Sequence, residues 1–194
     1  MQRFIFTIKM LWRYRSELKQ YTINLSLQTK TIFQISLQGL KNTGIAVLVL
    51  DYDGVLAGYA IEKLDSNVTA WLNQAVEIFG DKRVFILSNR PCKHRIQYFL
   101  KYFPGIQFVT ARKKPYPDGL LTILRETKVS KERLLLIDDR LLTGILAAMI
   151  AGVKALWVTS PTISFRHHPF WELGFIILRK IDKWCIALVN FNKK

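Results

Sequence analysis

Cysteine is scarce in this sequence, and long apolar runs are absent. Only 2 of the 194 residues are cysteines, and neither Cys92 nor Cys185 stands in a metal-binding or redox spacing. This argues against a disulfide-stabilised secreted scaffold, and we expect free thiols in a reducing compartment. No stretch reaches the roughly 18 consecutive apolar residues of a membrane-spanning helix, and we expect no secretory signal from the first residues.

Acidic residues are scarce as well. The chain has 29 Lys and Arg against 14 Asp and Glu, which gives a formal net charge of +15. Residues 1–41 carry seven basic side chains and one acidic one, and residues 160–194 carry six basic and two acidic ones. Such a positive field predicts an anionic partner: nucleic acid, anionic lipid or a phosphorylated substrate. The alternative is a basic surface that only keeps the protein soluble.

The middle of the chain alternates between strand and helix patterns. Short apolar runs predict strands, and the longer amphipathic runs between them predict helices. This alternation predicts an α/β fold with a doubly wound, Rossmann-like parallel sheet. The predicted strands are 45–51, 84–88, 107–110, 133–138 and 154–159, and the predicted helices are 67–79, 92–102, 117–127 and 140–151.

Amphipathic segments flank this core on both sides. We divide the chain into a basic N-terminal segment at 1–32, a core at 33–165 and a basic C-terminal helix at 166–194. The first segment predicts a helix over 1–20 and a short strand over 21–27. Each terminal helix either packs on the core or lies in a membrane interface, and the N-terminal one also has the composition of a transit peptide.

The predicted C-terminal helix sorts its residues onto two faces. The apolar face consists of Ile177, Leu178, Ile181, Trp184, Cys185 and Leu188, and the opposite face of Arg179, Lys180, Asp182 and Lys183. The ordinary interpretation is that the apolar face closes the core. The alternative is that it meets a membrane, which Trp184 and the terminal pair Lys193 and Lys194 favour.

Polar groups suited to phosphoryl chemistry follow four of the predicted strands. These groups are Asp51, Asp53, Ser88, Asn89, Lys114, Asp138 and Asp139. Because the carboxyl ends of parallel strands meet at one edge of a sheet, we expect the groups to converge on one crevice. Singly, each has an ordinary explanation, such as a turn, a helix N-terminus or a solvated surface charge. Their regular spacing along the chain favours a common site.

Phosphate-ester hydrolysis needs a nucleophile, a proton carrier and groups that hold the phosphate. We expect Asp51 to attack phosphorus and Asp53 to protonate the leaving oxygen and then to deprotonate water. Cationic and hydrogen-bonding groups must offset the charge of the phosphate while an anionic nucleophile approaches. The predicted phosphate-binding residues are Ser88, Asn89 and Lys114.

A divalent cation completes this chemistry. Mg²⁺ is a hard ion that favours a few carboxylates together with substrate oxygens. Asp51 and Asp139, at the ends of two different strands, are suited to hold it. The full set of predicted metal ligands is Asp51, Asp53, Asp138 and Asp139.

These motifs resemble those of phosphatases of the haloacid dehalogenase superfamily. The matching motifs are Asp-Tyr-Asp-Gly-Val-Leu at 51–56, Ser88, Lys114-Pro115 and Asp138-Asp139. Within the superfamily the chain is similar to the phosphatidylglycerophosphate phosphatase branch of bacteria and mitochondria, over residues 33–184. The resemblance implies Mg²⁺ and an aspartyl-phosphate intermediate. The short connections after the first two motifs leave no room for a large cap domain.

The chain also departs from that branch at the fourth motif. The branch usually has Gly where this chain has Asp138, and Asp where this chain has Gly144. We expect Asp138 to compensate as part of a double-aspartate motif. The branch's Asn-Thr after the second Asp is Gly54-Val55 here. Lys113 stands beside the motif lysine, and the following Pro115 favours Lys114 for that role.

The expected function is therefore Mg²⁺-dependent hydrolysis of a phosphomonoester, with phosphatidylglycerophosphate as the expected substrate. The expected location is the cytoplasmic side, peripheral on the inner membrane face, or the matrix side of mitochondria. One alternative is the same chemistry on a nucleic acid or protein phosphate, although nothing near the site favours nucleic acid. The other is a catalytically weakened, membrane-binding member of the superfamily.

Overall fold

The computed structural model describes residues 1–166 and 168–191, so residue 167 and residues 192–194 of the predicted C-terminal segment lie outside the described residues. The described helices are α1 (Gln2–Arg13), α2 (Arg15–Ile23), α3 (Leu37–Asn42), α4 (Ser66–Phe79), α5 (Lys93–Tyr102), α6 (Asp118–Thr127), α7 (Leu146–Ala151) and α8 (Pro169–Phe191). The strands are β1 (Gln28–Thr29), β2 (Val47–Leu50), β3 (Val84–Ile86), β4 (Ile106–Phe108), β5 (Leu134–Asp138) and β6 (Lys154–Val158).

The strands form one parallel sheet in the order β1-β6-β5-β2-β3-β4. From β2 the chain moves outward through β3 and β4, and it then returns to the other side of β2 for β5 and β6. The strand order thus reverses between β2 and β5, and a crevice opens there at the carboxyl ends of the strands. The predicted doubly wound parallel sheet is confirmed.

The central strand β2 shows why the sheet forms. Its four residues are fully buried because helices cover both faces of the sheet. Val47 and Val49 belong to the apolar core on one face, and Leu48 and Leu50 belong to the core on the other. Burying each such side chain contributes about 1.5–3 kcal/mol, so this continuous apolar run favours the middle of the sheet.

The strand predicted over 21–27 is wrong. Most of this segment continues the helix α2 or forms a single 3-10 turn, and the strand β1 follows at Gln28–Thr29. The physical reason is tertiary packing at helical spacing. Leu18 is fully buried, and three residues later the Tyr21 hydroxyl donates to the main-chain oxygen of Ala155 at 3.3 Å. Burial of this helical face outweighs the local alternation of apolar residues.

The sequence left two interpretations open for the apolar face of α8, and the structure does not show the first of them, closure of the core. Most residues of this face remain exposed, with Trp184 at 63% and Leu188 at 50% of their full accessibility, whereas Cys185 is partly buried against the core. The helix instead turns Glu172, Asp182 and Ile186 inward. The buried carboxylates can stay there because each receives hydrogen bonds from the core.

The first helix leaves apolar side chains exposed in a similar way. Phe4, Ile8 and Trp12 recur every fourth residue of α1 and are all exposed, so they share one stripe of the helix. In the described part of the chain, no helix has both the length and the apolar character that crossing a membrane requires.

The connections around the crevice are short. After β2 the chain reaches α4 at Ser66, and after β3 the helix α5 begins at Lys93. No large cap domain is inserted in either connection, as the sequence predicts. The crevice is bordered instead by the two terminal helices, because Arg3 of α1 and Leu178 of α8 both line it.

Candidate active site

Asp51 stands at the first position after β2, in the crevice. Its main-chain nitrogen donates to the oxygen of Ile137 on β5 at 2.9 Å, which extends the β2–β5 ladder by one residue. The register pairs Leu50 with Ile137, so the next residues along, Asp51 and Asp138, emerge side by side. The sheet itself therefore brings the predicted nucleophile to the fourth motif.

Lys114 connects these two carboxylates. Its Nζ lies 2.9 Å from Asp51 Oδ1 and 2.5 Å from Asp138 Oδ2, and the side chain is only 2% exposed. Burial alone would lower the pKa of Lys114, but the charges of Asp138 and Asp51 outweigh it and raise the pKa. Lys113 is exposed, so Lys114 is the lysine that the motif places in the site.

Asn89 holds Lys114 in place. Its Oδ1 accepts from the Lys114 main-chain nitrogen at 2.7 Å, and its side chain also lines the crevice. The neighbouring Ser88 is buried, and its Oγ accepts from the main-chain nitrogen of Arg90 at 3.1 Å. Ser88 and Asn89, two of the three predicted phosphate-binding residues, therefore lie at the end of β3, next to the end of β2.

Three carboxylates form a compact group that fits a divalent cation. Oxygen atoms of Asp51, Asp138 and Asp139 all lie within 4.8 Å of one another. Asp139 Oδ1 is buried and, within the described residues, has no hydrogen-bond partner. A hard cation with oxygen ligands fits such a cluster, because it would satisfy this oxygen and offset the three charges.

Burial raises the pKa of two of these carboxyl groups. It raises the pKa of Asp51 to about 8, against the lowering effect of Lys114 and with further raising by the other site carboxylates. It raises the pKa of Asp139 to about 6, although Arg179 acts in the opposite direction. The buried site thus disfavours several adjacent negative charges in the absence of a cation.

The Asp53 carboxylate lies outside this group of three. It accepts from Arg95 Nη2 at 2.7 Å and from Arg95 Nη1 at 3.2 Å, and Arg95 is stacked on the Tyr52 ring at 3.9 Å. Asp53 lines the crevice with Asp51, as a proton carrier must. Its side chain is not brought to the group that the structure offers for a metal.

The departure at the fourth motif has a steric explanation. Asp138 is fully buried, and its Oδ1 accepts from the main-chain nitrogen of Arg140 at 2.9 Å. A Cβ atom added to Gly144 would overlap the Asp138 carboxylate. In this protein the Asp138 carboxylate therefore fills the space that a side chain at position 144 would need.

Helix α8 contributes residues that the motifs did not indicate. Arg179 Nε donates to Asp139 Oδ2 at 2.5 Å, and Asp182 pairs with both Arg140 Nε and Nη2. Glu172 accepts from the main-chain nitrogen of Tyr59 at 2.7 Å. The only signal in the sequence is that positions 172, 179 and 182 share one helical face.

The crevice has a volume of about 370 Å³ and is open to solvent. Four predicted site residues line it, namely Asp51, Asp53, Asn89 and Asp139. Three carboxylates and one amide of the predicted site thus line one cavity, and the buried Lys114 contacts one of these carboxylates, that of Asp51. This arrangement is suited to hydrolysing a phosphate ester.

Comparison with known proteins agrees with this chemistry. A family model described as mitochondrial PGP phosphatase matches residues 16–163. The chain belongs to this family. It is accordingly a phosphatase of the haloacid dehalogenase type. The probable phosphatase YqeG of Bacillus subtilis (strain 168) is 25% identical over 129 residues, which cover 66% of this chain and 73% of that protein.

Solved structures show a more distant similarity to this family member. NagD from E. coli K-12 aligns with a TM-score of 0.46 at 13% identity, over 65% of this chain and 93% of that chain. A haloacid dehalogenase superfamily hydrolase from Ehrlichia chaffeensis aligns with a TM-score of 0.42 at 14% identity, over 70% of this chain and 98% of that one.

The raised pKa of Asp51 predicts how stability depends on pH without a metal. Between about pH 4, where an unfolded Asp titrates, and about pH 8, the folded protein holds a proton that the unfolded chain has lost. We therefore expect the free energy of unfolding in chelator to fall as pH rises through this window. Urea denaturation at about pH 5 and about pH 8 measures it.

Asp51→Asn is the control for this dependence, because an amide does not titrate. The variant should lose less stability between the two pH values than the parent. Added Mg²⁺ should also reduce the slope, since it binds the ionised carboxylates. A parent protein that becomes more stable with rising pH in chelator would contradict the prediction.

Proposed function

We propose that this protein is a Mg²⁺-dependent phosphomonoesterase that converts phosphatidylglycerophosphate to phosphatidylglycerol through an aspartyl-phosphate intermediate. The observation that carries the proposal is the group of Asp51, Lys114, Asp138 and Asp139 at the crevice, in a chain of the PGP phosphatase family. Mg²⁺ held by Asp51, Asp138 and Asp139 would offset the charge of the phosphate and orient it.

The first half of the reaction transfers the phosphoryl group to Asp51. An oxygen of its carboxylate attacks phosphorus, and the bond between phosphorus and the ester oxygen breaks. Asp53 gives its proton to that oxygen, so the lipid leaves as an alcohol. Lys114 stays beside Asp51 and stabilises negative charge that develops on the transferred group.

The second half regenerates the enzyme. Asp53, now ionised, takes a proton from a water molecule that attacks phosphorus from the side opposite Asp51. The bond between phosphorus and the Asp51 oxygen breaks, and inorganic phosphate leaves. Arg95 would orient the ionised Asp53 carboxylate in this second half through the two hydrogen bonds that the structure shows.

The open crevice and its two helical borders support a substrate in a lipid surface. The exposed stripe of α1 and the apolar face of α8 lie on the helices that supply Arg3 and Leu178 to the crevice. Exposed Lys180 and Lys183 stand among the apolar residues of α8. Apolar side chains flanked by basic ones are typical of helices that lie in an anionic membrane interface. We place the protein as peripheral on the inner membrane face.

Phosphate release from a panel of substrates tests the proposal. The panel contains phosphatidylglycerophosphate in vesicles, a 5′-phosphorylated oligonucleotide, a phosphopeptide and sugar phosphates, each with Mg²⁺ and with chelator. The lipid should be hydrolysed with the highest kcat/KM, and only with the metal. Preference for the oligonucleotide or the phosphopeptide would establish the alternative polyanion substrate, and full activity in chelator would refute the metal mechanism.

Binding to vesicles gives a separate prediction. The protein should co-sediment with anionic vesicles, less so at high salt and much less with neutral ones, since each basic residue near such a surface contributes about 1 kcal/mol. The single variants Phe4→Ser and Trp184→Ser should each weaken this binding severalfold, because each removes an exposed apolar side chain from the interface.

Leu100→Ser is the matched control, because Leu100 is an exposed apolar residue on α5 rather than on either terminal helix. It should leave co-sedimentation unchanged. Equal loss in all three variants, or equal binding to neutral and anionic vesicles, would count against the two helices as the membrane contact.

A further inference from the structure

Three cations at the mouth of the crevice have no role in the chemistry above. Arg3 of α1, Arg90 after β3 and Lys113 after β4 all line the cavity that contains Asp51. In the part of the chain that the structure describes, none of the three forms an ion pair with an acidic side chain. Three separate segments therefore bring uncompensated positive charge to one place.

The position of Arg3 is fixed relative to the nucleophile. Its Nε donates to the main-chain oxygen of Lys114 at 2.8 Å, and the Nζ of the same lysine lies 2.9 Å from Asp51 Oδ1. One lysine residue therefore spans the distance between Arg3 and the reacting carboxylate. A molecule bound at Asp51 needs only a short linker to present a second group to Arg3.

The electrostatic surroundings of Arg3 favour an anion beside it. Burial and then the positive charge of Arg140 lower the pKa of Arg3. The carboxylate of Asp182 is already engaged by Arg140, in two hydrogen bonds. An anion bound at the mouth would relieve this repulsion between two guanidinium groups.

Arg90 is held at the same mouth by aromatic rings. Its guanidinium carbon lies 4.6 Å from the centre of the Tyr59 ring and 5.9 Å from that of Trp171 on α8. Such stacking leaves the edge of the guanidinium free to donate hydrogen bonds. The group therefore loses little conformational entropy when it binds an anion.

We propose that Arg3, Arg90 and Lys113 form a subsite for a second anionic group of the same substrate molecule, the phosphodiester of a phospholipid headgroup. The terminal phosphate of that headgroup reacts at Asp51, where Lys114 and a cation held by the carboxylates would match its charge. The cations at the mouth then select substrates whose monoester is joined to a phosphodiester through a short carbon bridge. This inference rests on the proposed function.

Two soluble substrates separate the subsite from the reaction centre. Glycerol 3-phosphate carries only the monoester, and the deacylated headgroup, glycerophosphoglycerol phosphate, carries the same monoester and a phosphodiester. The wild type should prefer the second substrate in kcat/KM. Arg3→Gln and Lys113→Gln should each reduce that preference about tenfold, the scale of one lost hydrogen bond to a charged group.

Lys101→Gln is the matched control, since it removes one exposed positive charge on α5, away from the crevice. It should leave the preference unchanged. Far-UV circular dichroism of each variant checks the fold. Equal losses on both substrates in the Arg3 and Lys113 variants would overturn the proposal, because the residues would then serve the transferred phosphate or the fold.

Three other results of the substrate comparison would also contradict the proposed subsite. If the preference exists only when anionic vesicles are present, the cations bind neighbouring lipids and the proposal is wrong. If glycerol 3-phosphate is hydrolysed as well as the headgroup by the wild type, the subsite is wrong while the phosphatase chemistry stands. If neither is hydrolysed but p-nitrophenyl phosphate is, the lipid-headgroup function fails and the subsite fails with it.

Discussion

Replacing Asp51 by Asn should abolish phosphate release while the protein remains folded. A carboxamide cannot form the acyl phosphate, and the change also removes a negative charge from the group that could hold a cation and from the ion pair with Lys114. We expect a loss of about three decades or more in kcat, several kcal/mol of transition-state stabilisation. The measurement is Mg²⁺-dependent phosphate release from a soluble phosphate ester.

Two properties of the same variant separate chemistry from folding. The main-chain bond from residue 51 to Ile137 does not depend on the side chain, so the circular dichroism spectrum should not change. Binding to anionic vesicles should also survive, because the Asp51 carboxylate is not part of the proposed membrane contact of α1 and α8. Activity of Asp51→Asn within about tenfold of the parent would refute the assignment of the nucleophile.

The second large effect concerns Asp138 and Gly144, which share one space. Gly144→Asp alone should be strongly disruptive, since its Cβ would overlap the Asp138 carboxylate and a further buried charge would enter the site. We expect a loss of about 3 kcal/mol or more in the free energy of unfolding, together with most of the activity. Thermal and urea unfolding measure the first effect.

The double variant Asp138→Gly with Gly144→Asp tests the steric explanation. It moves the carboxylate to the position that the family pattern uses and vacates the space it needs. The double variant should therefore recover stability and Mg²⁺ affinity that Gly144→Asp loses, whereas Asp138→Gly alone should weaken metal binding. A double variant as unstable as Gly144→Asp would show that the two positions do not exchange.

The convergence of the predicted residues could be anticipated largely because the sheet imposes it. Asp51, Ser88 and Asp138 each follow an apolar run, and parallel strands must place such residues at one edge. Lys114 could be placed by the same argument, although only the fold shows that it is buried between two carboxylates. Residues that follow successive strands at regular spacing along the chain therefore lie close together in the folded protein.

The contribution of α8 could not be predicted in the same way. Its apolar residues indicate one face of a helix, and the usual preference is to bury that face. Here the polar face is inward because Glu172, Arg179 and Asp182 each find a charged or main-chain partner across the fold. Tyr59, one partner of Glu172, is more than a hundred residues away, and the partners of Arg179 and Asp182 are about forty residues away, so no local pattern reports these contacts.

The inward polar face of α8 also has a consequence for biosynthesis. The ribosome makes β2 to β6 before α8, and these strands can pair and bury their apolar residues as they emerge. Asp139 and Arg140 then stand at the sheet edge without Arg179 and Asp182, their ion-pair partners. The candidate site therefore lacks these two ion pairs until α8 leaves the exit tunnel, so we expect full activity only from chains in which α8 has been made.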